Sequence, residues 1–379
     1  MLGNLIYFDN AATTRMDERV LEEMLPYLKN EYGNASGRYS LGYEARRAVN
    51  EARTQAAALI GAEPDEIYFT SGATESNNIA LKTAEGALIT SEAEHPSVLN
   101  TAMYCKNAGR AVTLIKPDAT GKFDVKSLEE AFESTAAGRT RDGLVSVMYV
   151  NNELGTVNPV SELADIAHSQ GWLFHTDAVQ AAGHIPTDVK SLKVDLLSVG
   201  GHKLYGPKGS GFLYIKRGVR IPGLLNGGSQ ERGLRPGTEN VAGIVGLGKA
   251  CEIARLETAD NLRKEKEIGS FIKDQILNTI PDTVQNGSGD WILNFSFRGV
   301  NGTSLALRLD MEGICVSTGS ACSLGTEEIS HVLRSIGLEK ALADGSLRIS
   351  IGKYNTMDEA KVLVEKIRLL TEELRSLAV

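Results

Sequence analysis

The sequence of 379 residues is long enough for two domains, and its 42% hydrophobic and 23% charged residues are ordinary values for a soluble globular chain. A net charge of −8 with both signs scattered argues against nucleic acid as the main partner, because phosphate binding needs a concentrated basic face. No apolar run reaches the roughly 20 residues of a membrane span, and MLGNLIYFDNAATT lacks the basic and apolar regions of a signal peptide, so the expected location is cytoplasmic.

The first two thirds alternate strand and helix. Residues 66–70 form a short apolar strand, which Ser71–Gly72 turns into a helix beginning near Thr74. Further strands are expected at 87–90, 144–150, 172–175, 195–199 and 211–215, and Ser161 is placed to cap a helix that Gly171 ends. Apolar runs interleaved with amphipathic helices mean an α/β fold with a mostly parallel sheet, whose ligands sit where strands end in loops. The remainder reads as α+β. It has a long helix over about 259–280, strands at 291–297 and 347–351, and a last helix opened by the capping box Thr356–Glu359. The expected division is an N-terminal segment 1–15 at the domain junction, a large domain 16–256 and a small domain 257–379.

Four cysteines are present, Cys105, Cys251, Cys315 and Cys322, with no CxxC pair and no zinc-ligand spacing, so no metal site is expected. Cys105 and Cys251 lie in helical patterns and Cys315 in a strand, all read as buried. Cys322 differs. Its surroundings, STGSACSLGTEEIS, are small and polar, which predicts an exposed loop thiol able to visit a buried site and carry cargo outward.

The segment SVGGHKLYGPKGSGFLYI places Lys203 just after a strand and among glycines, where it can form a Schiff base with an aldehyde cofactor. On that segment alone, a turn lysine facing water is an equal reading. Three other segments supply what pyridoxal 5'-phosphate needs. SGATESNN is a strand–turn–helix junction whose helix N-terminus can bind phosphate, with the Thr74 hydroxyl added. HTDAVQ ends a strand with Asp177, able to pair with a pyridinium nitrogen. EAEHPSV follows a strand with His95, able to stack on a ring and move protons near neutrality. Each has a plain structural alternative, and their coincidence favours the cofactor.

These motifs, with YFDNAATT, NNELGT, ERGLRPGTEN and SLRISIGKYNT in the same order along nearly the whole chain, resemble the NifS/IscS-type cysteine desulfurases, of the class V aminotransferase-like family and the fold-type I pyridoxal-phosphate enzymes. The resemblance implies that Lys203 carries the cofactor, His95 stacks on its ring and Asp177 pairs with its nitrogen. Gln180 and Asn152 fall where the ring hydroxyl is contacted. Ala73, Thr74 and His202 fall where phosphate is bound, and Thr238 where a homodimer partner's phosphate is reached. Asn34 and Arg348 match the positions that grip the substrate carboxylate, and Cys322 matches the thiol that takes sulfur from L-cysteine as a persulfide. The SxGSACS context is that of the long-loop class. The resemblance also implies an iron–sulfur scaffold or another sulfur carrier as the acceptor.

Two positions depart from that pattern. Gly200 stands where serine is usual, which removes a phosphate hydroxyl, and Asn34 is followed by Ala35-Ser36-Gly37 rather than proline and two serines. The stretch after Ser323 also differs. The alternative readings are an aminotransferase or selenocysteine lyase on the same scaffold, and a non-catalytic platform in which Cys322 relays sulfur or ligates an iron–sulfur cluster shared with a partner.

Overall fold

The computed structural model describes residues 5–135, 140, 142–318 and 329–377. Cys322 lies outside the described residues. The strands in chain order are β1 (Ile6–Tyr7), β2 (Ile67–Thr70), β3 (Ala87–Ser91), β4 (Val112–Ile115), β5 (Gly143–Ser146), β6 (Leu173–Asp177), β7 (Leu196–Gly200), β8 (Gly211–Ile215), β9 (Thr283–Asn286), β10 (Ile292–Phe297), β11 (Ile314–Cys315) and β12 (Ser346–Ser350). The helices are α1 (Glu18–Lys29), α2 (Ser40–Ile60), α3 (Ala73–Thr83), α4 (Pro96–Asn107), α5 (Val125–Ser134), α6 (Val160–Ser169), α7 (Val189–Leu192), α8 (Val241–Thr279), α9 (Gly302–Met311), α10 (His331–Ser335), α11 (Lys340–Ala343) and α12 (Met357–Leu377).

Seven strands form the main sheet in the order β2-β8-β7-β6-β5-β3-β4. The run from β7 to β4 is parallel, and β8 is antiparallel to both β7 and β2, so the sheet is mostly parallel as expected. Strands β3, β5, β7 and β8 are buried along their whole length, which is why they read as continuous apolar runs. A second, antiparallel sheet has the order β12-β10-β9, and β1 pairs in parallel with β11.

One apolar core lies against the main sheet and one against the antiparallel sheet, and a further one, with Leu88, Leu144 and Leu213, covers the main sheet's other face. Ile244, Leu247, Ala250 and Cys251 of α8 pack into the first, and Ile268, Ile272 and Ile276 of the same helix into the second. The chain thus passes from one core to the other inside a 39-residue helix, and the division expected after residue 256 falls within it. The expected helix at 259–280 is the second half of α8. Its first half has glycines where neighbours come close. A Cβ on Gly246 would lie 2.5 Å from Met24 Sδ of α1, and one on Gly248 would lie 2.6 Å from Ala52 Cα of α2.

Three local expectations need correction. Helix α6 starts at Val160 with Pro159 as its N-cap, so Ser161 sits inside the first turn and does not cap it. The strand expected to reach 150 stops at Ser146, although Val147 and Tyr149 still give their amides to the His175 and Asp177 carbonyls of β6. Cys315 is only half-buried, since β11 pairs on one side alone, whereas Cys105 and Cys251 are buried. The Thr356–Glu359 capping box is present, with reciprocal bonds of 2.8 and 3.2 Å.

Candidate active site

Where the parallel strands end, a cavity of about 930 Å³ opens. Nine of the residues singled out from sequence line it: Ala73, Thr74, His95, Asn152, Asp177, Gln180, His202, Lys203 and Arg348. They come from segments far apart in the chain and meet because β2, β3, β6 and β7 all deliver their C-terminal ends to one edge of the sheet.

Lys203 follows β7 in a single 3-10 turn. Its amine donates to the carbonyl of Ala11 and, at 2.7 Å, to that of Ala12. Gln180 Nε2 donates to the same Ala11 carbonyl at 2.9 Å. The segment before α1 therefore forms the floor beneath the lysine. Thr14 secures it there, giving its amide and its hydroxyl to the His202 carbonyl at 2.9 Å each.

Asp177 ends β6 and is almost fully buried. Its Oδ2 accepts from Asn77 Nδ2 at 2.7 Å, and its Oδ1 accepts from the Val179 amide at 3.0 Å. Asn77 Nδ2 also donates to Ser97 Oγ at 2.9 Å. Ser97 Oγ in turn lies 2.8 Å from His95 Nδ1, which accepts from the Ser97 amide as well at 3.1 Å. With Nδ1 occupied as an acceptor, the neutral imidazole carries its proton on Nε2. Burial pulls the His95 pKa down, and the positive charges of Lys203 and His331 add to that against the opposing charge of Asp177, so His95 is neutral at pH 7. His202 is likewise held neutral, down to about 4, by burial and by Lys203 and Lys208.

At the opposite wall, Arg348 of β12 donates to Asp9 Oδ1 at 2.8 Å and to the Asn152 carbonyl at 2.9 Å. It is 3% exposed, and its Nε has no partner among the described residues. Glu153, Ser330, His331 and Arg334 complete this side. Glu153 is buried and its pKa rises to about 7, chiefly through desolvation, opposed by the hydroxyl of Ser330 at 2.5 Å and the charge of Arg348.

Three expected residues are elsewhere. Asn34 is exposed and uses Oδ1 to accept from the Ser36 amide at 2.8 Å, and it does not line the cavity. Thr238 is exposed in the loop before α8 and is also absent from the lining. Gly200 lies just behind the lining. A Cβ there would sit 3.5 Å from Ala73 Cβ, an ordinary contact, so the backbone leaves room for a side chain. Sequence reading did not single out Asn77, Ser97, Glu153, Ser330 or His331. All but His331 lie within quoted motifs, and only the tertiary fold shows their partners.

The cavity fits pyridoxal phosphate. At one end Gly72 (φ 146°) opens α3, whose N-terminus has no side-chain cap among the described residues. A buried carboxylate, a lysine at a strand end and a neutral histidine follow along the cavity. The Asn152 side-chain oxygen and Arg348 Nε, both buried and without partners among the described residues, await polar groups of a bound molecule.

The chain belongs to the aminotransferase class-V family, whose model matches residues 6–363. Among its relatives, the cysteine desulfurase IscS of Dictyoglomus turgidum is 43% identical over 384 residues, spanning 98% of this chain and 96% of that protein. A solved NifS-like protein superposes with a TM-score of 0.89 at 37% identity, covering 97% of this chain and all of the other. A structure described as SspA in complex with cysteine gives 0.80 at 34% identity, covering 93% and 100%. The fold is that of the NifS-like fold-type I enzymes, and the cofactor is pyridoxal phosphate.

Proposed function

We propose that the protein is a cysteine desulfurase that converts L-cysteine to L-alanine and passes the sulfur to Cys322. The observation that carries this reading is the meeting of Lys203, Asp177, His95 and Arg348 around one cavity in a chain whose relatives are desulfurases. Lys203, Gln180 and Asp177 would hold the cofactor ring, and Ala73, Thr74 and His202 its phosphate. Bound there, pyridoxal phosphate supplies an aldehyde for the amino group and a ring that draws electrons from the neighbouring carbon.

The chain's own residues do the rest. Arg348 grips the substrate carboxylate and fixes its orientation. Asp177, held by Asn77 and the Val179 amide, keeps a negative charge beside the ring nitrogen. Lys203 takes the proton from the substrate α-carbon. Neutral His95 takes up the proton of the substrate thiol as imidazolium and can return it to the product. The Cys322 thiolate attacks the substrate sulfur, so an S–S bond forms as the C–S bond breaks, its electron pair stays with the β-carbon, and protonation there makes the methyl group of alanine. Alanine leaves and the persulfide remains.

The reading extends to a homodimer in which Thr238 reaches the partner's phosphate end, to an iron–sulfur scaffold or sulfur carrier as acceptor, and to a cytoplasmic setting. No helix among the described residues is long and apolar enough to cross a membrane. Cys322→Ser tests the sulfur step. The variant should bind cofactor with unchanged colour and lose persulfide formation and sulfide release from cysteine. Normal sulfide release by that variant would exclude Cys322 as the acceptor.

A further inference from the structure

Outside the cavity, one pair of ionisable side chains is buried almost completely and touches the lysine loop. His184, in the turn after β6, and Glu265, in the second half of α8, are 6% and 1% exposed. The imidazole Nδ1 lies 3.4 Å from Glu265 Oε2. The same imidazole lies near enough to the main chain of Lys203 for that group to favour its protonated form. Its flat face stacks on Trp291 at 6.2 Å between ring centres, with 10° between the planes.

A buried carboxylate is costly unless a positive partner faces it, and Glu265 Oε1 has no partner among the described residues. Burial by itself lowers the His184 pKa, but the bond and charge of Glu265, together with the Lys203 main chain, reverse this and leave it raised. Those are the groups that act on the imidazole. Tyr205, two residues beyond Lys203, is the other ionisable neighbour that the Glu265 charge reaches, and it remains protonated. An imidazolium has a proton on each nitrogen, so it can serve Glu265 and the Lys203 main chain together.

Helix α8 holds this turn twice from one face. Thr258 Oγ1 donates to the Gly183 carbonyl at 3.0 Å, and Glu265 follows two helical turns later. Gly183 itself has φ 81°, and a Cβ there would collide with Leu204, next to the lysine, at 2.7 Å. The turn, the helix and the lysine loop therefore pack as one unit.

We propose that His184 and Glu265 are a buried positioning pair that fixes the main chain of Lys203, so that its amine meets the cofactor and the substrate α-carbon at the right distance. Neither residue touches the cavity, and the pair acts through Lys203. The inference rests on Lys203 being the cofactor lysine.

The test uses the holoenzyme and three readouts: the pH at which the Lys203-linked chromophore changes colour, kcat against KM for alanine formation, and melting temperature. The double variant His184→Phe with Glu265→Leu replaces the pair by apolar groups and keeps the site folded. It should bind cofactor, melt near the wild type, shift the chromophore transition, and lower kcat about tenfold or more with little change in KM. His184→Lys, which keeps a charge and a donor, should recover most of that loss. A folded double variant with unmoved chromophore transition and unmoved kcat would overturn the proposal. If Lys203→Ala still forms a lysine-linked chromophore, the assignment of Lys203 fails instead, and the two failures are distinct. Should the double variant not fold, ¹⁵N-histidine spectra of the wild-type holoenzyme decide. The His184 ring is expected to titrate above an ordinary histidine because of Glu265, and a pKa lowered below the ordinary value, as burial alone would give, would refute the pair.

Discussion

Asp177 and His95 are joined through two intervening side chains, with Asn77 donating at 2.7 Å to Asp177 and at 2.9 Å to Ser97, which reaches His95 at 2.8 Å. The group proposed to sit at the ring nitrogen and the group proposed to lie over the ring are thus oriented by a single amide on α3. The same helix opens the end of the cavity proposed for phosphate. Asn77→Ala leaves a buried carboxylate short of one donor, at a cost of about 1–3 kcal/mol. Cofactor affinity or kcat is therefore expected to fall roughly tenfold or more, and spectral titration with pyridoxal phosphate plus steady-state kinetics measures both.

With His95 in its proposed proton-handling role, the acid limb of activity is set by its ring. Its pKa lies below 6.5, so the neutral ring predominates at pH 7 and activity is lost as pH falls through that lowered value. Asp177 opposes the lowering, so its removal drives the pKa further down. In Asp177→Asn the acid limb of any residual activity should shift to lower pH, which a kcat/KM profile would show.

Gly200 offers a gain of function. Space for a Cβ exists beside Ala73, and the backbone φ of −117° suits any residue. Gly200→Ser should place a hydroxyl at the proposed phosphate end and tighten cofactor binding by about 0.5–1.5 kcal/mol, or roughly two- to twelvefold. Equilibrium dialysis of both proteins would measure it.

His175 predicts a pH dependence of stability. It is fully buried between Ser146 and Ser198, and burial lowers its pKa from 6.5 to about 3. Between those values the unfolded chain binds a proton that the folded chain does not, so stability rises with pH across this window. The contribution is complete above about 6.5 and lost progressively toward 3, with a slope of about 1.4 kcal/mol per pH unit. His175→Gln should reduce the slope of unfolding free energy against pH by up to one proton between those limits, as urea titrations at several pH values would report.

The Arg53–Glu231 pair anchors β2. Arg53 meets Glu231 at 2.6 and 2.8 Å and the Ile67 carbonyl at 2.7 Å, and Glu231 also accepts the Phe69 amide at 2.9 Å. Both side chains are buried, so Glu231→Ala leaves an unpaired cation and should cost about 3–5 kcal/mol. The exposed Arg15–Glu18 pair should contribute under about 1 kcal/mol on the same assay of chemical denaturation.

Much of this architecture was legible in the residues themselves. The apolar run 211–215 is β8 to the residue, because a strand buried on both faces needs no polar positions. Lys203, Asp177 and His95 each stand at or just past a strand end, so their convergence followed from the parallel sheet. Strand β4 was not legible, since it is a half-exposed edge strand of four residues. The first half of α8 was obscured by glycines that serve close helix packing, a requirement set by α1 and α2 and not by local propensity. Asn77, Ser330 and the His184–Glu265 pair depend on contacts between remote segments, and no periodicity marks them. Asn34 and Thr238 came from resemblance alone, and the cavity of a single chain does not include them.

The central claim is that Lys203 bonds covalently to pyridoxal phosphate. Reducing the cofactor-saturated protein with borohydride, then mapping modified peptides by mass spectrometry, tests it in one step. The expected result is a single pyridoxyl adduct on the lysine of GGHKLYGPK that precedes Leu204. An adduct confined to any other lysine, or none at all, would contradict the account.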